Sequence, residues 1–128
     1  MRLLLDTHIL LWAVGESRRL PANVRAVLQD SRNQVYFSTA SIWEIAIKQS
    51  KGLADFDFRP EQIAAVAFES GFTELPIRWQ AASAVARLPM HHRDPFDRLL
   101  VAQAMTEPLA LYTADLRLGV YSELVHLI

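Results

Sequence analysis

The sequence predicts an α/β fold, a three-layer α/β/α domain around a central parallel sheet of four to five strands. Three observations point to it. Short runs that are apolar or β-prone throughout, RLLL at 2–5, VYFS at 35–38, LALYT at 109–113 and LVHLI at 124–128, are bounded by polar residues. Helical patterns separate them. Strands with apolar residues on both faces need helices on both faces, which is the arrangement of a parallel sheet.

Taken in order, strand 2–5 leads into a helix at 7–15 that stops at Gly15. A second helix at 22–31 begins behind Pro21, where the missing N–H of proline costs nothing. Strand 35–38 runs into a helix at 40–51, ended by Gly52, and Pro60 starts the next helix at 60–70, ended by Gly71. FTELPI at 72–77 is a candidate fifth strand that Pro76 pushes to a sheet edge. Helices at 78–87 and 95–106, the latter opened by Pro95, precede the last two strands. No repeat, linker or change of composition divides the chain, so residues 1–128 are expected to form a single domain with one core.

Composition narrows the chemistry. With 52% hydrophobic and 21% charged residues the chain reads as an ordered globular protein. It has no cysteine, so disulfides, thiolate metal sites and cysteine nucleophiles are excluded, and any metal must sit on oxygen or imidazole. Thirteen Lys and Arg against fourteen Asp and Glu leave a net charge of -1, without the global basic field of many nucleic-acid binders. Arg18, Arg19, Arg25 and Arg32 gather locally, either as solvated helix faces or as a phosphate track. Asp6 and His8 break the apolar run at the amino terminus, no small-residue cleavage site follows, and no run approaches the roughly 20 apolar residues of a membrane helix. The expectation is a cytoplasmic protein with no membrane partner.

In an open parallel sheet, ligands collect beyond the carboxyl ends of the strands. Four carboxylates fall there. Asp6 follows the first strand, Glu44 lies in the helix after the second, Asp97 opens the helix at 95–106, and Asp115 comes two residues after LALYT. Each has a structural alternative. Asp6 and Asp115 are suited to capping the turns that follow them, and Glu44 precedes Lys48 by four residues, the order of a helix-surface pair worth about 0.2–0.5 kcal/mol. Asp97 is different, because Asp94 already stands as N-cap and Pro95 as the first helical residue, while Leu100, Val101 and Ala104 behind Asp97 form a core stripe. A charge at the head of such a stripe points into a crevice. In ASIWEIAIK only Ser41, Glu44 and Lys48 form a polar line on an otherwise apolar helix. Crowded carboxylates repel unless protons or a cation intervene, and a hard divalent ion, Mg2+ or Mn2+, is the economical answer. Thr7, Ser38, Ser41 and Thr113 stand beside these acids and are placed to orient them.

The set LLLDTH, SxxSIWEIAIK at 38–48, HRDPFDRLLVAQA at 92–104 and LYTAD at 111–115 resembles PIN-domain ribonucleases, specifically the VapC-like toxins of type II toxin-antitoxin modules. The resemblance spans nearly the whole chain in order. It implies a PIN-like three-layer fold and a Mg2+- or Mn2+-dependent endoribonuclease. Asp6, Glu44, Asp97 and Asp115 correspond to its acidic catalytic and metal residues, the last being more variable in the family. Thr113, Thr7 and Ser41 correspond to polar neighbours of the site. It further implies an RNA substrate, a small antitoxin protein as partner, and a homodimer, alone or within a larger toxin-antitoxin assembly. His92 matches the pattern ahead of DPFDR; it, Lys48 and Arg98 are candidate RNA contacts, with loop packing or salt bridges as the alternatives. Trp12 and Trp43 are assigned to core packing, or to an apolar groove for an antitoxin helix. Two other classes stay in view. One is a non-catalytic PIN-fold interaction module whose acidic edge binds a basic peptide. The other is an aspartyl-phosphate protein using Asp6, disfavoured because His8 stands where a haloacid-type phosphatase needs a second Asp.

Overall fold

A computed structural model describes residues 1–52 and 57–128. Among the described residues five strands form one sheet: β1 Arg2–Leu5, β2 Gln34–Ser38, β3 Thr73–Leu75, β4 Ala110–Thr113 and β5 Val125–Leu127, in the order β3-β2-β1-β4-β5. Every neighbouring pair is parallel, with Leu4 of β1 registered to Tyr36 on one side and Leu111 on the other. The helices are α1 Thr7–Gly15, α2 Ala22–Gln29, α3 Thr39–Ser50, α4 Pro60–Glu69, α5 Trp79–Ala84 and α6 Pro95–Thr106.

The three layers follow from strand alternation. Leu3 and Leu5 point to one face and join Ile9, Leu10, Val24, Phe37 and Ile63 in a core beneath α1, α2 and α4. Leu4 points to the other and joins Tyr36, Leu100, Val101, Ala104 and Leu111 beneath α6. All three leucines of β1 are fully buried, as the central strand of a doubly covered sheet requires.

The expected elements hold with three differences. The helix expected at 78–87 divides into α5 and a 3-10 turn at Val85–Arg87. The fifth strand lies at the edge, as Pro76 implies, but covers only Thr73–Leu75 and not the whole of 72–77. The final run, expected as a buried strand, is the opposite edge: β5 covers only three residues, with His126 and Leu127 exposed. Two turns need φ > 0 and have glycine there, Gly52 at 63° and Gly71 at 85°.

The strand order places the chain's reversal at β1 and β4: β1, β2 and β3 build the sheet in one direction, and β4 and β5 add on the other side of β1. A crevice at the carboxyl ends of β1 and β4 is the consequence.

Candidate functional site

Asp6 leaves β1 and caps α1. Its Oδ1 accepts the Ile9 N–H at 2.9 Å, and its Oδ2 accepts a short hydrogen bond from the Thr113 hydroxyl at the end of β4. Its backbone N–H donates to Tyr112 O at 3.0 Å, so the sheet ladder itself sets the position of this carboxylate. Capping and site membership coexist. Burial raises the Asp6 pKa above the ordinary carboxylate value, and the bonds from Thr113 and Ile9 pull against that rise.

Glu44 comes from α3, whose polar line faces inward. Ser41 and Glu44 are buried, and the Thr7 hydroxyl lies 2.7 Å from Glu44 Oε1 and 2.9 Å from Ser41 Oγ. Its single proton serves the carboxylate. Lys48 Nζ donates to Glu44 Oε2 at 2.8 Å, so the surface pair expected at this spacing exists, but around a carboxylate that is 5% exposed.

Asp94 caps α6 as the spacing predicts, accepting from Phe96 N at 2.8 Å and Asp97 N at 3.2 Å. Asp97 is therefore free of capping. Its pKa is raised to about 7, first by burial and then by the charges of Asp94, Asp6 and Glu44. Asp115 goes the other way. The Arg117 guanidinium grips both its oxygens, Nε to Oδ1 at 3.0 Å and Nη2 to Oδ2 at 2.8 Å, and holds the carboxyl well below the usual range.

The four acids, with Thr7, Lys48, His92 and Arg117, line one crevice of about 350 Å³. Within it, His92 and one oxygen each of Asp97 and Asp115 lie within 4.8 Å of one another. The crevice as a whole suits a hard divalent cation: it is oxygen-rich, without thiolate, and lined by two acids, Asp6 and Asp97, whose ionisation burial opposes.

Several sequence expectations need correction. Arg98, expected at the site edge, is 7% exposed and turned away from the crevice; it donates to Val85 O and Pro89 O at 3.0 Å each and to the Tyr121 hydroxyl at 3.2 Å. One residue is about 100° of helix, so a crevice-facing Asp97 sends its neighbour elsewhere. Arg98 ties down the 85–92 loop. We expect Arg98→Met to cost about 1–3 kcal/mol in chemical denaturation through the uncovered carbonyls, and Arg98→Lys to recover little of it, because an ammonium cannot span the same fork.

His92, a candidate RNA contact with loop packing as the alternative, is buried, with both ring nitrogens engaged. Ser38 does not touch the acids; it caps α3 and donates to Gln103 Oε1 at 2.6 Å. Trp43 is not a core residue but 57% exposed, packed edge-to-face on Phe96. The early arginines serve local contacts, Arg19 with Glu16, Arg25 with Leu20 O and Arg32 with Asp30. Arg117 is a further residue of the crevice. Its signal is the Asp-x-Arg spacing, which produces the same two-oxygen grip at Asp30 and Arg32.

Fold and site together define a class: a doubly covered parallel sheet with an acidic crevice at the switch in strand order, a form suited to holding a metal ion against a polar substrate. The PIN domain family matches residues 3–124, and the chain belongs to that family. No curated protein matches the sequence. Among solved structures, the chain is similar to VapBC2 from Rickettsia felis, solved bound to a DNA fragment from their promoter, at 17% identity and a TM-score of 0.69, covering 100% of this chain and 98% of that one. FitAcB from Neisseria gonorrhoeae aligns at 18% identity and a TM-score of 0.57, covering 94% and 92%. At such identities the likeness is one of fold. No helix among the described residues is long and apolar enough to cross a membrane.

Proposed function

We propose that this chain is a Mg2+- or Mn2+-dependent endoribonuclease, the toxin half of a type II toxin-antitoxin pair, acting in the cytoplasm. The observation that supports it most is the meeting of Asp6, Glu44, Asp97 and Asp115 in one crevice, with Asp97 raised to about 7 by burial and then by its acidic neighbours. Asp6, Asp97 and Asp115 are the residues to hold the ion. A divalent ion in such a site lowers the pKa of water and neutralises charge on a phosphodiester.

The chain's own groups supply the rest. Glu44 keeps one lone pair on each oxygen after its bonds from Thr7 and Lys48, and accepts the proton of the attacking water. Thr7 and Ser41 fix the rotamer of Glu44, and Thr113 fixes that of Asp6. Lys48, partly exposed at the rim, meets a backbone phosphate of the RNA. The same acidic crevice attracts an antitoxin's basic side chain, which would block it. A homodimer, alone or within a larger toxin-antitoxin assembly, completes this reading.

The test is an inducible growth assay of the native chain beside Asp6→Asn, with total RNA resolved on gels. Arrested growth and discrete RNA fragments with the native chain alone support the reading. Equal RNA cleavage by the purified chain in EDTA would reject the metal mechanism, and binding to a basic partner without any cleavage would leave an interaction module.

A further inference from the structure

Three groups could be assigned to His92 by position: metal ligand, phosphate contact, or support for other residues. The hydrogen bonds of its ring separate them. Nδ1 lies 3.1 Å from the Asp94 backbone N–H, which can only donate, so Nδ1 must be the unprotonated, accepting nitrogen. The ring proton is then on Nε2. That N–H donates to Asp115 Oδ2 at 3.0 Å, and Asp97 Oδ2 lies 3.2 Å from the same nitrogen without a hydrogen bond to it.

We infer that His92 is a positioning residue, an imidazole protonated on Nε2 that donates to Asp115 and keeps this carboxylate, carried by a different element, beside Asp97, whose Oδ2 lies 3.2 Å from the same nitrogen, at the separation the ion needs. This rests on the reading that these two acids hold a divalent ion. Ligation through Nε2 would move the proton to Nδ1 and set two donors face to face across 3.1 Å. A phosphate contact would need an exposed ring, and His92 is 7% exposed.

The surroundings hold the ring in this pose. The His92 backbone N–H donates to the Tyr121 hydroxyl at 2.9 Å, and Arg98 donates to the same oxygen at 3.2 Å. Arg98, absent from the crevice, thus supports it from behind. Asp97 arrives on α6, and Asp115 follows β4 by two residues. Among the described residues, His92 is the side chain that hydrogen-bonds Asp115 and also contacts Asp97.

The test has two arms. Long-range 15N–1H correlation of the histidine rings, in the metal-free chain and with saturating Mg2+, reads the tautomer directly. We expect Nε2–H in both states. The Nδ1–H form, or loss of the Nε2 proton on adding Mg2+, would overturn the assignment. The second arm is Mn2+ affinity by electron paramagnetic resonance for the native chain, His92→Gln and His92→Asn. Gln carries an amide N–H near the place of Nε2–H and should bind Mn2+ nearly as the native chain does; Asn is one carbon shorter and should bind about 10–100-fold more weakly. Equal weakening in both, or unchanged Mn2+ affinity with a raised KM for RNA, would overturn the positioning role. A native chain that neither binds Mn2+ nor cuts RNA would reject the nuclease reading itself, and the tautomer arm would still decide the state of His92.

Discussion

Asp97→Asn is expected to abolish RNA cleavage while leaving the metal-free fold as stable as the native one, or more stable. Loss of a residue that merely supports a metal ligand costs about 10–100-fold, so loss of the ligand should cost at least the upper figure. Stability moves independently. The native carboxylate is raised to about 7 because burial and the charges of Asp94, Asp6 and Glu44 oppose its ionisation. A neutral amide of the same shape removes that opposition, and the N-cap is untouched because Asp94 provides it. Denaturant unfolding in EDTA beside an RNA-cleavage assay checks both halves. A variant that loses activity by unfolding would refute this account of Asp97.

The second large effect is the response to divalent ions. Asp97 has a folded pKa of about 7 against an ordinary value of 3.8, so the folded chain binds this proton more tightly than the unfolded chain does. Between these two values stability falls as pH rises, and the full penalty is present above about 7. Asp115 has the opposite sign: its lowered pKa contributes stability above the unfolded value that is lost only in stronger acid, so the two effects occupy different pH ranges. A divalent ion binds the ionised acids and relieves the penalty where it is largest. Mg2+ or Mn2+ should therefore raise Tm more at pH 8 than at pH 5. At a hundredfold excess over Kd the gain is about 2.7 kcal/mol, or roughly 10 °C for a domain of this size. Equal shifts at both pH values, measured by differential scanning calorimetry, would argue against an ion at Asp97.

The architecture was legible because burial on both faces leaves a direct mark on sequence: a strand such as RLLL, apolar at successive positions, has no solvent side. The edges were harder. LVHLI has the same composition as a central strand, yet β5 is an edge with two exposed residues, since composition alone does not tell which strand ends the sheet.

Asp94 and Asp97 were separable because proline and helix spacing assign one to the cap and leave the other without that duty. For α3 the polar line at Ser41, Glu44 and Lys48 was visible, but its direction was not. That line faces the crevice, and Trp43 takes the solvent side. Arg98 was misplaced because proximity in sequence to Asp97 is not proximity around a helix. The link from His92 to Asp115 joins residues 23 apart through a loop of irregular backbone, and no periodicity records such a contact.

The proposed nuclease stands on acids from separate elements converging on one divalent ion that cuts RNA. Anomalous diffraction from crystals of the chain soaked in Mn2+, native and Asp97→Asn, tests it most directly. A manganese peak is expected in the crevice against Asp6 and Asp97, and the substitution should remove it; a crevice without manganese, at a concentration that supports RNA cleavage in solution, would overturn the reading.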